Sequence, residues 1–190
     1  MQQTPSSQSD LIAVLEQYQT VCNRYDVAAA VALYAADGCI EIRGIEYRGW
    51  DALHAAHECD RGSQTQVAFS DYVVEGETVR CTFIACDVLD RAVRLDGWHL
   101  QAEFTLRNGR IVRFVSLPPD EHERGRHRAA KHAFHAWARA HYPEEVAKGA
   151  NVDYEAGASL ARVVHAWLRR QINSAGDEER RDESPSNDQV

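Results

Sequence analysis

The stretch Gly97-Trp-His-Leu-Gln-Ala-Glu-Phe-Thr-Leu-Arg-Asn-Gly-Arg-Ile-Val-Arg-Phe-Val-Ser-Leu117 reads as two long strands joined by one tight turn at Asn108-Gly109. Apolar side chains alternate at Trp98, Leu100, Ala102, Phe104 and Leu106, the period of a strand with one buried face. The return arm is rich in β-branched and aromatic residues, and Asn-Gly supplies the positive φ angles of a two-residue hairpin turn. His99, Gln101, Glu103 and Thr105 share the opposite face of the first arm. They belong on the outside of whatever the apolar set encloses.

Upstream, Leu11, Val14, Leu15, Tyr18, Val21, Cys22 and Tyr25 recur at helical spacing, with Ser9 or Asp10 placed to cap the first turn. Asp26 precedes a second short helix, Val27 to Tyr34, which Gly38 can close in a left-handed conformation. Cys39 to Arg43 reads as a short strand, and Gly49 to His57 as a third helix leaving through Arg61-Gly62. Two strand-like runs, Gln66 to Val74 and Thr78 to Asp87, flank the turn Glu75-Gly76-Glu77. Three helices followed by mostly antiparallel strands make an α+β layout, with the helices packed on one face of a curved sheet.

Beyond Pro118-Pro119 the pattern becomes helical again. Glu121 to His141 reads as one helix, Pro143 starts a short one that Gly149 ends, and Leu160, Val163, Val164, Trp167, Leu168 and Ile172 form an apolar stripe on the last. Such a stripe must dock on the rest of the domain or on a second subunit. We therefore divide the chain into a disordered N-terminus (1–8), a folded domain (9–117), a helical extension (118–172) and a disordered acidic tail (173–190).

A chain of 190 residues with 44% hydrophobic content can bury a core, and its net charge of -8 argues against a nucleic-acid groove. Glu121 to Arg128 and Arg162 to Arg170 are nevertheless locally basic. No apolar run approaches the ~20 residues that span a bilayer, and the N-terminus lacks a signal peptide's features, so the expectation is a cytoplasmic protein that uses no membrane. The five cysteines Cys22, Cys39, Cys59, Cys81 and Cys86 show no CxxC spacing and read as small buried hydrophobes. His54 and His57 with Glu58 and Asp60 lack the spacing of a metal helix and read as exposed residues, and the histidines of the extension read as surface groups.

Arg24-Tyr-Asp-Val-Ala-Ala-Ala-Val-Ala-Leu-Tyr-Ala-Ala-Asp-Gly-Cys-Ile-Glu41, Tyr47-Arg-Gly-Trp-Asp-Ala-Leu53, Val74-Glu-Gly-Glu-Thr-Val-Arg80 and the hairpin together resemble the nuclear transport factor 2-like superfamily. Its members include SnoaL-like polyketide cyclases, ketosteroid isomerases and scytalone dehydratases. The resemblance implies a cone-shaped curved antiparallel sheet closed by three N-terminal helices around a pocket for an apolar small molecule. It also implies homodimerisation through the convex face, and no metal or redox cofactor.

Ketosteroid isomerases use a tyrosine that corresponds to Tyr18, but their general base falls on Ile42 and their oxyanion-binding aspartate at or near Ala102, so that machinery is missing. The dehydratases' Tyr-Asp pair looks like Tyr25-Asp26, and their aspartate late in a central strand looks like Asp87. Their catalytic histidine would fall near Gln66 or Val67, which leaves His54, His57 and His99 as substitutes. The candidate catalytic set is thus Tyr18, Tyr25, Asp26 and Asp87, and the candidate lining is Ile42, Trp50, His54, Trp98, Leu100, Ala102 and Phe104. Each has a structural alternative: Asp26 as a helix cap, Tyr18 as a core tyrosine, Asp87 as a turn residue. Two functions stand open, a lyase, isomerase or cyclase without a cofactor, and a non-catalytic binder of a hydrophobic ligand.

Overall fold

The structure, a computed structural model, describes residues 7–42, 44–149 and 151–182, and beyond Ile172 the backbone alone. In chain order the elements are α1 (Gln8–Asn23), α2 (Val27–Ala32), β1 (Tyr34–Ile42), β2 (Ile45–Arg48), α3 (Trp50–Gly62), β3 (Gln66–Glu75), β4 (Thr78–Cys86), α4 (Val88–Ala92), β5 (Trp98–Arg107), β6 (Arg110–Ser116), α5 (Glu121–His141), α6 (Pro143–Lys148) and α7 (Tyr154–Asp182). The strands form one α+β sheet of six in the order β2-β1-β6-β5-β4-β3. All its neighbours are antiparallel except β1 and β6, which run parallel.

The β5–β6 hairpin pairs Arg107 with Arg110 across Asn108 and Gly109, both at positive φ (55° and 71°). Ala102, Phe104 and Leu106 point into the concave face and are almost fully buried, while His99 and Gln101 are exposed. Phe104 stacks on Phe114 of β6 with ring centroids 4.4 Å apart. Leu11, Leu15 and Tyr18 of α1 and Val27, Ala30 and Val31 of α2 complete this core. Full burial of side chains of this size is worth about 1.5–3 kcal/mol each before entropy costs, so the stripe of α1 is what fixes it on the sheet.

Several local expectations need correction. Ser7, not Ser9 or Asp10, caps α1, and Asp10 is its partner in a reciprocal capping box. Gly38 does not end α2, because the chain turns extended at Tyr34 and Gly38 lies within β1. There a Cβ would meet the backbone oxygens of Ala35 and Ile111 at 2.8 and 3.0 Å. The residues after β4 form the short helix α4, capped by Asp87. The backbone of α7 stays helical to Asp182, past the boundary expected at Asn173; residues 1–6 and 183–190 of the two expected disordered ends lie outside the described residues.

The extension docks on the cone. Phe134 and Ala138 of α5 and Ala161, Val163 and Val164 of α7 bury against Val88 and Leu89 of α4, with Leu160, Trp167 and Leu168 packed around them. Ile172, expected on the same stripe, is 71% exposed. Where α7 crosses α3, Gly157 faces Gly62. A Cβ on Gly157 would overlap the carbonyl of Cys59, and one on Gly62 the carbonyl of Tyr154, so the crossing requires glycine on both helices.

Candidate functional site

A cavity of about 470 Å3 occupies the cone between α1, α3 and the concave sheet. Tyr18, Ile40, Ile42, Phe69, Phe83 and Phe114 supply apolar and aromatic wall, Trp98 and Leu100 lie along β5, and Gly149, Asn151 and Val152 of the extension close the rim. The volume and the mixture of aromatic wall with a few acids suit a small organic ligand.

Tyr18, on the cavity wall, belongs to a chain of three polar side chains. The Tyr34 hydroxyl donates to that of Tyr18 at 2.9 Å, which leaves the Tyr18 proton free to point at His57 Nε2, 3.5 Å away. Burial raises both tyrosines well above their usual range, so both stay neutral. Burial also pushes His57 down to about 4, with His54 adding repulsion. His57 was expected on the surface; it is 5% exposed because Ala56 and His57 follow Leu53 on the buried stripe of α3.

Asp60, one turn further along α3, is the acid that the sequence reading passed over. It lines the cavity and is packed round by α3 and its neighbours, yet more than a third of its surface remains accessible. Burial raises its carboxyl to about 7, aided by the charge of Asp87 and opposed by a hydrogen bond from the Thr65 hydroxyl. Asp87 lines the same cavity while capping α4: its Oδ1 accepts the Asp90 backbone N–H at 2.8 Å, and Asp90 Oδ2 accepts the Asp87 N–H at 3.1 Å. Burial raises the Asp87 carboxyl too, but Lys131 and the amides of α4 pull it back. One acid therefore lacks a cation and the other has one.

The wall behind Asp87 is ionic. Asp90 is wholly buried, with Lys131 Nζ at 2.6 Å and His127 Nδ1 at 3.3 Å, and Trp98 stacks on His127 at 3.5 Å between ring centroids. Arg126 binds Glu123, Asp96 and the Gly97 carbonyl, and the pairing holds the Glu123 carboxyl down at about 2. His127, expected on the surface, is thus part of the joint between α5 and the cone; its burial outside the apolar pattern of α5 gave no periodic signal.

Other expected site residues lie elsewhere. Tyr25 and Asp26 flank a small crevice beside the cavity, where the Tyr25 hydroxyl accepts from Gln66 at 2.6 Å and Asp26 caps α2 through the Ala29 N–H. Ala102 and Phe104 are packed in the core rather than along the cavity wall. Trp50 is 62% exposed and stacks on His54 outside the cavity lining, because both face away from the sheet on α3. Cys22 and Cys59 line the cavity, but burial pushes Cys59 up to about 11 and Cys22 higher still, so both remain thiols at neutral pH. Among the described residues no three His, Cys, Asp or Glu side chains converge on a point that could hold a metal ion, and no helix is long and apolar enough to cross a membrane.

No protein-family model and no curated protein sequence matches the chain. Solved structures do. The epoxide hydrolase/cyclase-like enzyme SalBIII of pyran ring formation in the polyether salinomycin is 16% identical, with a TM-score of 0.51 over 62% of this chain and 95% of that one. A de novo designed protein with a curved β-sheet is 15% identical, with a TM-score of 0.50 over 67% and 99%. An NTF2-like protein from Cytophaga hutchinsonii is 9% identical, with a TM-score of 0.47 over 62% and 93%. The fold is that of the SnoaL-like, nuclear transport factor 2-like proteins. At these identities the likeness carries fold and no activity.

Proposed function

We propose that the protein is an enzyme that moves a proton within an apolar small molecule, a cyclase, isomerase or lyase whose acid–base work is done by its own side chains. The observation that carries this reading is the pair of carboxylates, Asp60 and Asp87, in one largely apolar cavity under different electrostatic conditions. Two acids whose environments separate their proton affinities divide into donor and acceptor. Asp60, with its carboxyl near 7 and no cation beside it, holds a proton that it can deliver to a substrate oxygen. Asp87, whose burial is offset in part by the field of Lys131, is the acid assigned to accept a proton. The Tyr18 hydroxyl can turn its one proton from His57 Nε2, 3.5 Å away, to a substrate carbonyl or ether oxygen as a neutral donor.

The test uses a panel of apolar ketones, hydroxyketones and epoxides incubated in deuterated water with the wild type, Asp60→Asn and Asp87→Asn. Deuterium incorporation or ring closure is followed by NMR. Loss of one general acid or base costs about 10²–10⁴ in rate, so each folded variant should lose at least about a hundredfold. Binding of panel members with no turnover by the wild type, or equal turnover in all three proteins, would leave a hydrophobic-ligand binder instead.

A further inference from the structure

Outside the cone, between α5 and Trp98, lies a surface groove of about 450 Å3 whose lining contains no carboxylate. Arg124, Arg128, Lys131, His132, His135 and Arg139 line it. The spacing 128, 132, 135, 139 returns to one helix face at each step, so these side chains project in one direction over about three turns of α5.

Among the described residues, several cations face an acid. Arg124 binds Glu121, and Lys131 is held by Asp90. Arg128 and Arg139 have no acidic partner among the described residues. Burial, Lys131 and Arg139 together lower the proton affinity of His135, so the groove carries unneutralised positive potential in a chain of net charge -8. Lys131 is neutralised by Asp90 and Arg124 by Glu121, so the charge left over in the groove is that of Arg128 and Arg139. Two free guanidiniums directed into one depression are the side chains that bind phosphoryl oxygens through paired N–H donors.

We infer that this groove is a binding site for a phosphoryl-bearing small molecule of the diphosphate type, held between Arg128 and Arg139 over Lys131. The site is separate from the cavity, and the inference does not depend on the proposed enzyme activity. A ligand with two phosphoryl groups fits better than a single phosphate because Arg128 and Arg139 stand about 16 Å of helix rise apart along the groove, and only a longer anion that both side chains lean toward can engage the two together. The chain's overall acidity repels a long polyanion, whereas a short ligand meets only the local positive field.

The probe is inorganic pyrophosphate, titrated calorimetrically into the full chain at fixed ionic strength. Saturable one-to-one binding is expected, weakened at least tenfold in Arg128→Gln and in Arg139→Gln and unchanged in Arg169→Gln/Arg170→Gln, which alters exposed arginines of α7 outside the groove. Thermal melts of all variants confirm that the groove variants remain folded. A nucleoside diphosphate that binds more tightly than pyrophosphate identifies an organic ligand, and equal affinities identify the phosphoryl group alone. The inference is overturned if no saturable heat is seen. It is equally overturned if the α7 variant weakens binding as much as the groove variants, or if an acidic peptide or RNA occupies the groove and pyrophosphate does not displace it.

Discussion

Asp60 and Glu123 are both acids crowded by protein, one on the wall of the open cavity and the other buried in the joint between cone and extension, and their proton affinities move in opposite directions. Burial without a cation raises the Asp60 carboxyl to about 7. Two hydrogen bonds from Arg126, with the His99 backbone N–H, hold that of Glu123 near 2 despite its burial. Desolvation acts on both; the partner decides the sign. The joint is therefore an electrostatic clamp and the cavity a place where charge is costly, which is the condition that keeps an acid protonated near neutral pH.

The largest effect should come from breaking the clamp at its most buried point. Lys131→Met leaves the wholly buried Asp90 without its cation 2.6 Å away, and loss of one member of a buried pair costs about 3–5 kcal/mol. Denaturant unfolding measures it; a change below about 1 kcal/mol would mean that the pair does not hold the extension.

Gly157→Val attacks the same joint sterically, since its side chain would overlap the backbone of α3. Overpacking of this kind costs about 1–3 kcal/mol. Because the lining residues Gly149, Asn151 and Val152 lie just before α7, a neutral apolar dye should also bind the cavity less tightly. Unchanged melting and dye binding would show that α3 and α7 can separate freely.

The pH dependence of stability separates the two acids directly. Asp60 has a folded value above its unfolded one, so the native state binds the extra proton and Asp60 makes stability fall as pH rises from about 4 to about 7. Glu123 has a folded value below its unfolded one, so its contribution is present above about 4.5 and is lost as pH falls toward 2. His57, depressed to about 4, adds a loss of stability as pH falls from 6.5 to 4, opposing Asp60 across most of that window. Asp60→Asn should remove the decline toward pH 7, and Glu123→Gln the loss below 4.5. Urea midpoints across pH 2.5–8 read both; equal slopes in wild type and variants would refute the contrast.

The smallest effect is a cap. Asp26→Ala removes the bond to the Ala29 N–H and should cost about 1 kcal/mol in thermal stability. If it also abolished turnover, the crevice beside Tyr25 would have to be counted as part of the active site.

The elements whose character is set by near neighbours were legible in the chain. The Asn108-Gly109 hairpin, the stripe of α1 and the bounds of α5 follow from turn chemistry and periodicity, which act over a few residues. The fold followed because the order of these elements admits few packings. Tyr18 was legible as a cavity candidate for the same reason, since it falls on the apolar stripe of α1. Tertiary structure alone decided His57, Asp90 and His127, and that the exposed Asp60 stands on a cavity wall. On helices a charged or titratable residue has the same local pattern whether it faces water, a cavity or a partner element, and only the packing of distant elements decides which. That packing also turned Asp87 from a strand-end acid into a group held between a cavity and Lys131, because the charge that tunes it comes from an element far along the chain.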